Sequence, residues 1–186
     1  MNERAKTILD FWFMQTSQEE KFGNNKTFDK KIRDNFLDDY QKAIKNEYDY
    51  WHDNAAECLA LIILLDQFSR NLFRNNSKAF AMDNKARQVA NHAIDKGYCK
   101  KLTNDQLIFI FLPFMHSEEL SDQIYCGKLI DTYLQNHTGY KEAKKFSQLH
   151  HNIINEFGRF PYRNKVLRRK NTIKEKEYLK STHHDF

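Results

Sequence analysis

A chain of 186 residues with 40% apolar and 14% aromatic side chains can fill one sizeable core, and with five glycines, two prolines and no Pro/Gly/Ser-rich linker it reads as a single domain, 1–186. Its net charge of +5 belongs to the C-terminus: residues 159–186 carry nine Lys/Arg against three acids, the remainder 21 against 22. A basic terminal segment without a recognised binding motif makes nucleic acid an unlikely partner, and apolar runs no longer than Cys58–Leu65 and Leu107–Met115 exclude a membrane-spanning helix.

The N-terminus, MNERAKTILDFWF, lacks the basic region, apolar stretch and small-residue cleavage site of a secretory signal, so a cytoplasmic protein is expected. Residues 3–16 place Ala5, Ile8, Leu9, Trp12 and Phe13 on one helical face, and the polar stretch 17–25 reads as a loop. Residues 28–46 then set Phe28, Ile32, Phe36, Tyr40 and Ile44 at four-residue intervals, with Thr27 as N-cap. Beyond the aromatic patch Tyr48–Trp51, a helix beginning near Asp53 or Asn54 runs through LALIILLDQFSRNLFR, residues 59–74. Ala60 and Ile63 widen its apolar face so far that little of it can meet water, which makes it the central helix. Its last turns carry Asp66, Gln67, Arg70 and Asn71, with Asp66 and Arg70 spaced for an ion pair. Burying such groups is costly unless each finds a partner.

Asn75, Asn76 and Ser77 supply turn and cap chemistry before a helix over 78–96 that Gly97 closes. Thr103 and Gln106 form a capping-box pattern for the apolar segment LIFIFL, which Pro113 is expected to disrupt. Ser117 restarts the chain, Glu118 and Glu119 fall in a first turn, and Leu120, Ile124, Leu129, Ile130, Tyr133 and Leu134 carry that helix to about Asn136. A further helix spans Tyr140 to Phe157 with Gly158 after it. Past the loop RFPYRN, Thr172 and Glu175 cap a short last helix, and the final STHHDF reads as frayed. Cys58, Cys99 and Cys126 are odd in number and widely spaced, so reduced thiols are expected rather than a disulfide framework or a C-x-x-C motif. With no alternating strand pattern anywhere, the fold class is all-α: about eight helices stacked antiparallel, ending in a basic segment, 159–186, with a short helix.

If neighbouring helices alternate, the central helix, the LIFIFL helix and the 140–157 helix all end on one side, bringing DQFSRN, PFMHSE and FGRFPYRN to one polar pole. Arg70, His116 and Arg159 should then lie within about three helix diameters of one another, each ~10 Å.

The segments ILDFWF, LALIILLDQFSRN, AFAMDNKA, PFMHSEELSDQ and HHNIINEFGRFPYRN together resemble a widespread bacterial family of unknown function with a tetratricopeptide-repeat-like all-α fold, over nearly the whole chain. The family pattern reads D-Q-F-P-R-N, then H-S-E, then a histidine followed by F-G-R-F-P-H-R-N. Here Ser69 stands at the proline and Tyr162 at the last histidine, and Val166 to Lys170 depart from the usual Leu-Gly-Arg continuation. Asp66, Gln67, Arg70, Asn71, His116, Ser117, Glu118, His150, Gly158, Arg159, Arg163 and Asn164 match the signatures. The resemblance implies a fold and no activity.

Two uses of the pole follow. As a binding site, Asp66, Gln67, Arg70, Asn71, Arg159, Arg163 and Asn164 are the ligand-binding candidates, because guanidinium forks suit a carboxylate or phosphate on an acidic peptide or small anion. As an enzyme of unknown class, a hydrolase for example, its best catalytic candidates are His116, Glu118 and His150, with an arginine clamp on the substrate. Against both stands a structural lock in which Arg70 pairs Asp66, Arg159 pairs Glu118 and the arginines cap helix ends. Without H-E-x-x-H or Glu-x-x-His, no metal is expected at His116, His150 and Glu118, and no cofactor either. Ser117, though beside His116 in sequence, does not thereby meet its side chain.

Overall fold

The computed structural model describes residues 1–181, and every regular element among them is helical. The helices are α1 (Glu3–Met14), α2 (Gln18–Phe22), α3 (Lys26–Ile44), α4 (55–72), α5 (Asp83–Asp95), α6 (Asn104–Met115), α7 (Leu120–Tyr133), α8 (Tyr140–Phe157) and α9 (Ile173–Ser181), with short 3-10 turns between several of them. The frayed end expected at STHHDF lies, beyond Ser181, outside the described residues.

Helix α4 is the axis of the molecule. It starts at Asn54, whose side chain accepts from the amides of Ala56 and Glu57 at 3.0 and 3.3 Å, an N-cap that satisfies two otherwise orphaned donors. Leu59 to Leu65 have no exposed surface at all, as the wide apolar face requires. Around them pack α1, α3, α5 and α6, while α6, α7 and α8 stack against one another in chain order. Aromatic rings fill the space between: Phe68 lies 4.9 Å from Phe36 and 5.6 Å from Trp12, and Trp12 lies 5.6 Å from Phe109. Cys58, Cys99 and Cys126 are buried free thiols, and burial pushes Cys58 and Cys126 up to about 12, so neither is a nucleophile near neutral pH.

Several boundaries differ from expectation for identifiable reasons. The polar stretch 17–25 holds α2, because Ser17 and Glu20 form a reciprocal capping box. Helix α3 is capped by Asn25 rather than Thr27, the Asn25 side-chain Oδ1 accepting from the amides of Thr27 and Phe28. Pro113 does not break α6. It sits in the last turn, where only one ladder bond is lost, and the Gln123 side-chain amide reaches back from α7 to the carbonyls of Met115 and Ser117 at 2.8 and 2.6 Å. Helix α7 starts at Leu120, not Ser117, which leaves Ser117 and Glu118 in the turn and frees both for tertiary contacts.

Deleting buried leucine from α4 should be far costlier than trimming the surface. Leu64→Ala is expected to lose ~2 to 5 kcal/mol of stability in urea unfolding, and Lys176→Ala close to none. Equal small losses would show that α4 is not the core axis.

Candidate functional site

The three polar motifs converge, and the residue that gathers them is Asp66. Its carboxylate has no exposed surface and sits in a π-helical turn, Ile63–Phe68, within α4. Such a turn interrupts the regular ladder, and side chains complete it: the Asp66 carbonyl accepts from Arg70 Nη1 at 2.6 Å and lies 2.9 Å from Ser69 Oγ. The carboxylate itself accepts from His116 Nδ1 at 2.8 Å and Gln67 Nε2 at 2.5 Å, and Arg70 Nη1 approaches to 3.1 Å. Burial alone would raise the Asp66 carboxyl, but the charge of Arg70 and the hydrogen bond from His116 hold it well below the usual range.

From Asp66 the network widens. Arg70 also reaches Asp83, the first residue of α5, at 3.2 Å, and Arg163 meets the same carboxylate at 3.4 Å. The Arg163 guanidinium lies 4.5 Å from the ring centres of both Phe80 and Phe160, a stack on two aromatic faces that suits its planar, weakly hydrated group. Glu118 accepts from both terminal nitrogens of Arg169, at 2.6 and 2.9 Å, and from the backbone amide of Phe160 at 2.8 Å, tying the α6–α7 turn to the terminal segment. Arg159 faces away, onto Glu175 at 2.6 and 2.9 Å, and holds that carboxyl down to about 2. Glu175 closes the expected capping box with Thr172 as well.

The expected pairing of Arg159 with Glu118 is therefore wrong: Arg169 takes Glu118, and Arg159 leaves the cluster to anchor α9. Among the other candidates, Asn71 donates to Asp29 at 2.9 Å beside Arg74, on the α3 side, and Asn164 is fully buried and donates to Asn171 at 2.7 Å. Asp66, Gln67, Arg70, His116 and Arg163 form one contiguous group, with Asp83, Phe80, Phe160 and Arg169 as members that the motifs alone did not single out. An acid opening a helix was the one available signal for Asp83.

Both histidines are held neutral. His150 is buried, contacts the Phe146 carbonyl through Nδ1 at 2.8 Å and lies 5.5 Å from the Phe160 ring; burial pushes it down to about 4. Burial and the neighbouring Arg70 lower His116 in spite of Asp66. His116 Nδ1 donates to Asp66, so its other ring nitrogen carries the lone pair, as a general base requires. Ser117 is committed elsewhere: its hydroxyl donates to Asp122 at 2.6 Å and accepts from Arg87 at 2.7 Å, which removes it as a nucleophile for His116. No group of three or more His, Cys, Asp or Glu among the described residues is arranged to hold a metal, and no helix is long and apolar enough to cross a membrane.

Among the described residues, the surface concavities include two of several hundred Å³. One, of about 380 Å³, lies where the chain leaves the cluster on either side, between Asn75, Asn76 and Ser77 after α4 and Lys165, Val166 and Arg168 after Arg163. The other, of about 590 Å³, lies between the end of α3 and α5, and its cation, Lys85, is spent on the Ala43 carbonyl and the Asn46 side chain, both at 2.6 Å.

An all-helical stack with a buried polar network at one pole defines the class of protein. The profile of a bacterial family of unknown function, DUF924, matches residues 8–183, and the chain belongs to that family. A solved structure of a protein of unknown function from Agrobacterium tumefaciens, ATU0120, is similar at a TM-score of 0.89 and 34% identity, covering 97% of this chain and 98% of that one. No curated protein matches.

The depressed histidines set a pH dependence. His150 takes its proton near 6.5 when unfolded and only near 4 when folded. The unfolded chain therefore binds more protons across that window, and stability falls as the pH drops from 6.5 toward 4, by on the order of 3 kcal/mol for this residue. Asp66, Glu118 and Glu175 have folded values below their ordinary ones, so their contribution is lost only at lower pH. Urea unfolding at pH 7, 6, 5 and 4.5 should show the first decline, flattened in His150→Gln; a wild-type profile level down to pH 4.5 would contradict the buried neutral histidine.

Proposed function

We propose that this protein is a binding protein, a tetratricopeptide-like helical array whose polar pole recognises a small anionic ligand or an acidic peptide terminus. Charge is the observation that supports it. At the pole four carboxylates already have an arginine: Asp66 and Asp83 share Arg70, Asp83 also has Arg163, Glu118 has Arg169 and Glu175 has Arg159. Lys165 and Arg168, exposed beside them, have no carboxylate partner among the described residues. The carboxylate-bound arginines act as a frame, and the surplus positive charge is what an anion would meet.

Ligand binding to the folded state alone raises its stability by RT ln(1 + [L]/Kd), about 2.7 kcal/mol at a hundredfold excess over Kd, which is several degrees in Tm for a chain of this size. Inorganic phosphate, citrate or a triglutamate peptide should produce such a rise, and 0.5 M NaCl should reduce it. The reading fails if none of the three shifts Tm while an uncharged peptide does no worse.

The Asp66–His116 contact favours a second reading, an enzyme in which the neutral imidazole takes a proton from water while Asp66 orients the ring and stabilises the imidazolium. Hydrolysis of p-nitrophenyl phosphate or p-nitrophenyl acetate above background, lost at least a hundredfold in His116→Ala, is the outcome expected of it. Rates equal to buffer for both substrates would dismiss it for these ester classes.

A further inference from the structure

We infer that the concavity between residues 75–77 and 165–168 is the anion seat itself, and that it takes the phosphate of a small phosphate monoester; this rests on the anion-binding reading above. The arginines singled out by the sequence motifs are not the ligand contacts. Arg70, Arg159 and Arg163 are each committed to carboxylates, and Arg163 is closed between two rings. The hollow they support has the opposite character. Its lining is Asn75, Asn76, Ser77, Lys165, Val166 and Arg168, with two cations, two amides, one hydroxyl and no acid. About 380 Å³ suits a phosphorylated fragment of metabolite size.

The backbone turns sharply at both walls. Asn75 has φ 61° and Arg168 has φ 55°, so each segment turns through the left-handed region at the hollow; asparagine tolerates that conformation and arginine rarely adopts it. Asn76 Oδ1 accepts from the amide of Lys78 at 3.0 Å, which leaves its Nδ2 group available to donate. The walls are held from below: Arg169 N donates to the Asn164 carbonyl at 2.8 Å, and Arg169 grips Glu118. A dianionic monoester matches the two unpaired cations in charge, whereas a lone carboxylate or a phosphodiester group carries a single negative charge.

The test is titration calorimetry on the full chain with O-phospho-L-serine, inorganic phosphate, acetate and a single-stranded oligonucleotide, in wild type, Lys165→Ala, Arg168→Gly and the double variant. Arg168→Gly removes the side chain while easing the backbone, so folding is preserved, and Tm is measured alongside. Expected are binding of both phosphate probes, at least tenfold weaker binding in each single variant, none in the double variant, and little binding of acetate. Phosphoserine tighter than inorganic phosphate would identify an esterified ligand, and the reverse order would limit the seat to free phosphate, overturning the monoester assignment. Phosphate binding that survives in the folded double variant would overturn this seat and leave anion binding elsewhere at the pole intact. Acetate bound as tightly as phosphate, or the oligonucleotide bound more tightly than phosphoserine, would overturn the ligand class. A wild type that binds none of the probes removes both this inference and the anion-binding reading.

Discussion

The pole depends on one buried charge, the Asp66 carboxylate. An ionised carboxylate taken wholly out of water is several kcal/mol uphill unless it is paired and its lone pairs are filled, and α4 supplies only part of what is needed, through Gln67 and Arg70. The remaining hydrogen bond comes from His116 at the end of α6, so the two helices must end together. Arg70, itself largely out of water, needs more than one acceptor and draws in Asp83 from α5, and Asp83 in turn draws in Arg163. Three segments far apart in sequence are thus brought into register by the need to satisfy one charge and then each charge that satisfies it.

The fold was legible because its signals are local or periodic. The width of the apolar face over 59–65 identified the buried axis, Thr103 with Gln106 and Thr172 with Glu175 marked helix starts, and counting helix directions was enough to bring the three motifs together. Partner choice was not legible. Arg159 and Arg169 are equally basic and ten residues apart, and which of them reaches Glu118 depends on the path after Gly158, a left-handed residue that redirects the chain, and on the capping box at Thr172 that puts Glu175 under Arg159. Pro113 misled for a different reason: it falls in the last turn of α6, where only one ladder bond is lost, and the carbonyls at the helix end are met by Gln123 from the next helix.

Two departures from the family pattern are also accommodated by the network. Ser69, where the resembled pattern has a proline, places its hydroxyl 2.9 Å from the Asp66 carbonyl and 3.1 Å from that of Ala79, so it serves the interrupted ladder by hydrogen bonding. Tyr162, at the position of a histidine, keeps an aromatic ring 5.3 Å from Phe160, but burial raises its phenol. Position 162 therefore carries no group that titrates near neutrality.

The same lattice changes the meaning of the basic C-terminus. Read as sequence, an excess of six cations over 159–186 looks like a solvated tail. In the folded chain Arg159, Arg163 and Arg169 are internal counterions for Glu175, Asp83 and Glu118, and their contribution is structural. Lys165, Arg168, Lys170, Lys174, Lys176 and Lys180 remain exposed. Of these, Lys165 and Arg168 are distinguished by position: the segment carrying them is pinned between Arg163 and Arg169, both fixed by carboxylates, so these two charges are held against a concave wall rather than on a freely moving arm. Rigidly placed charge costs less side-chain and chain entropy to engage than charge on a flexible tail, which is why a stabilising lock and a ligand seat can be parts of one arrangement.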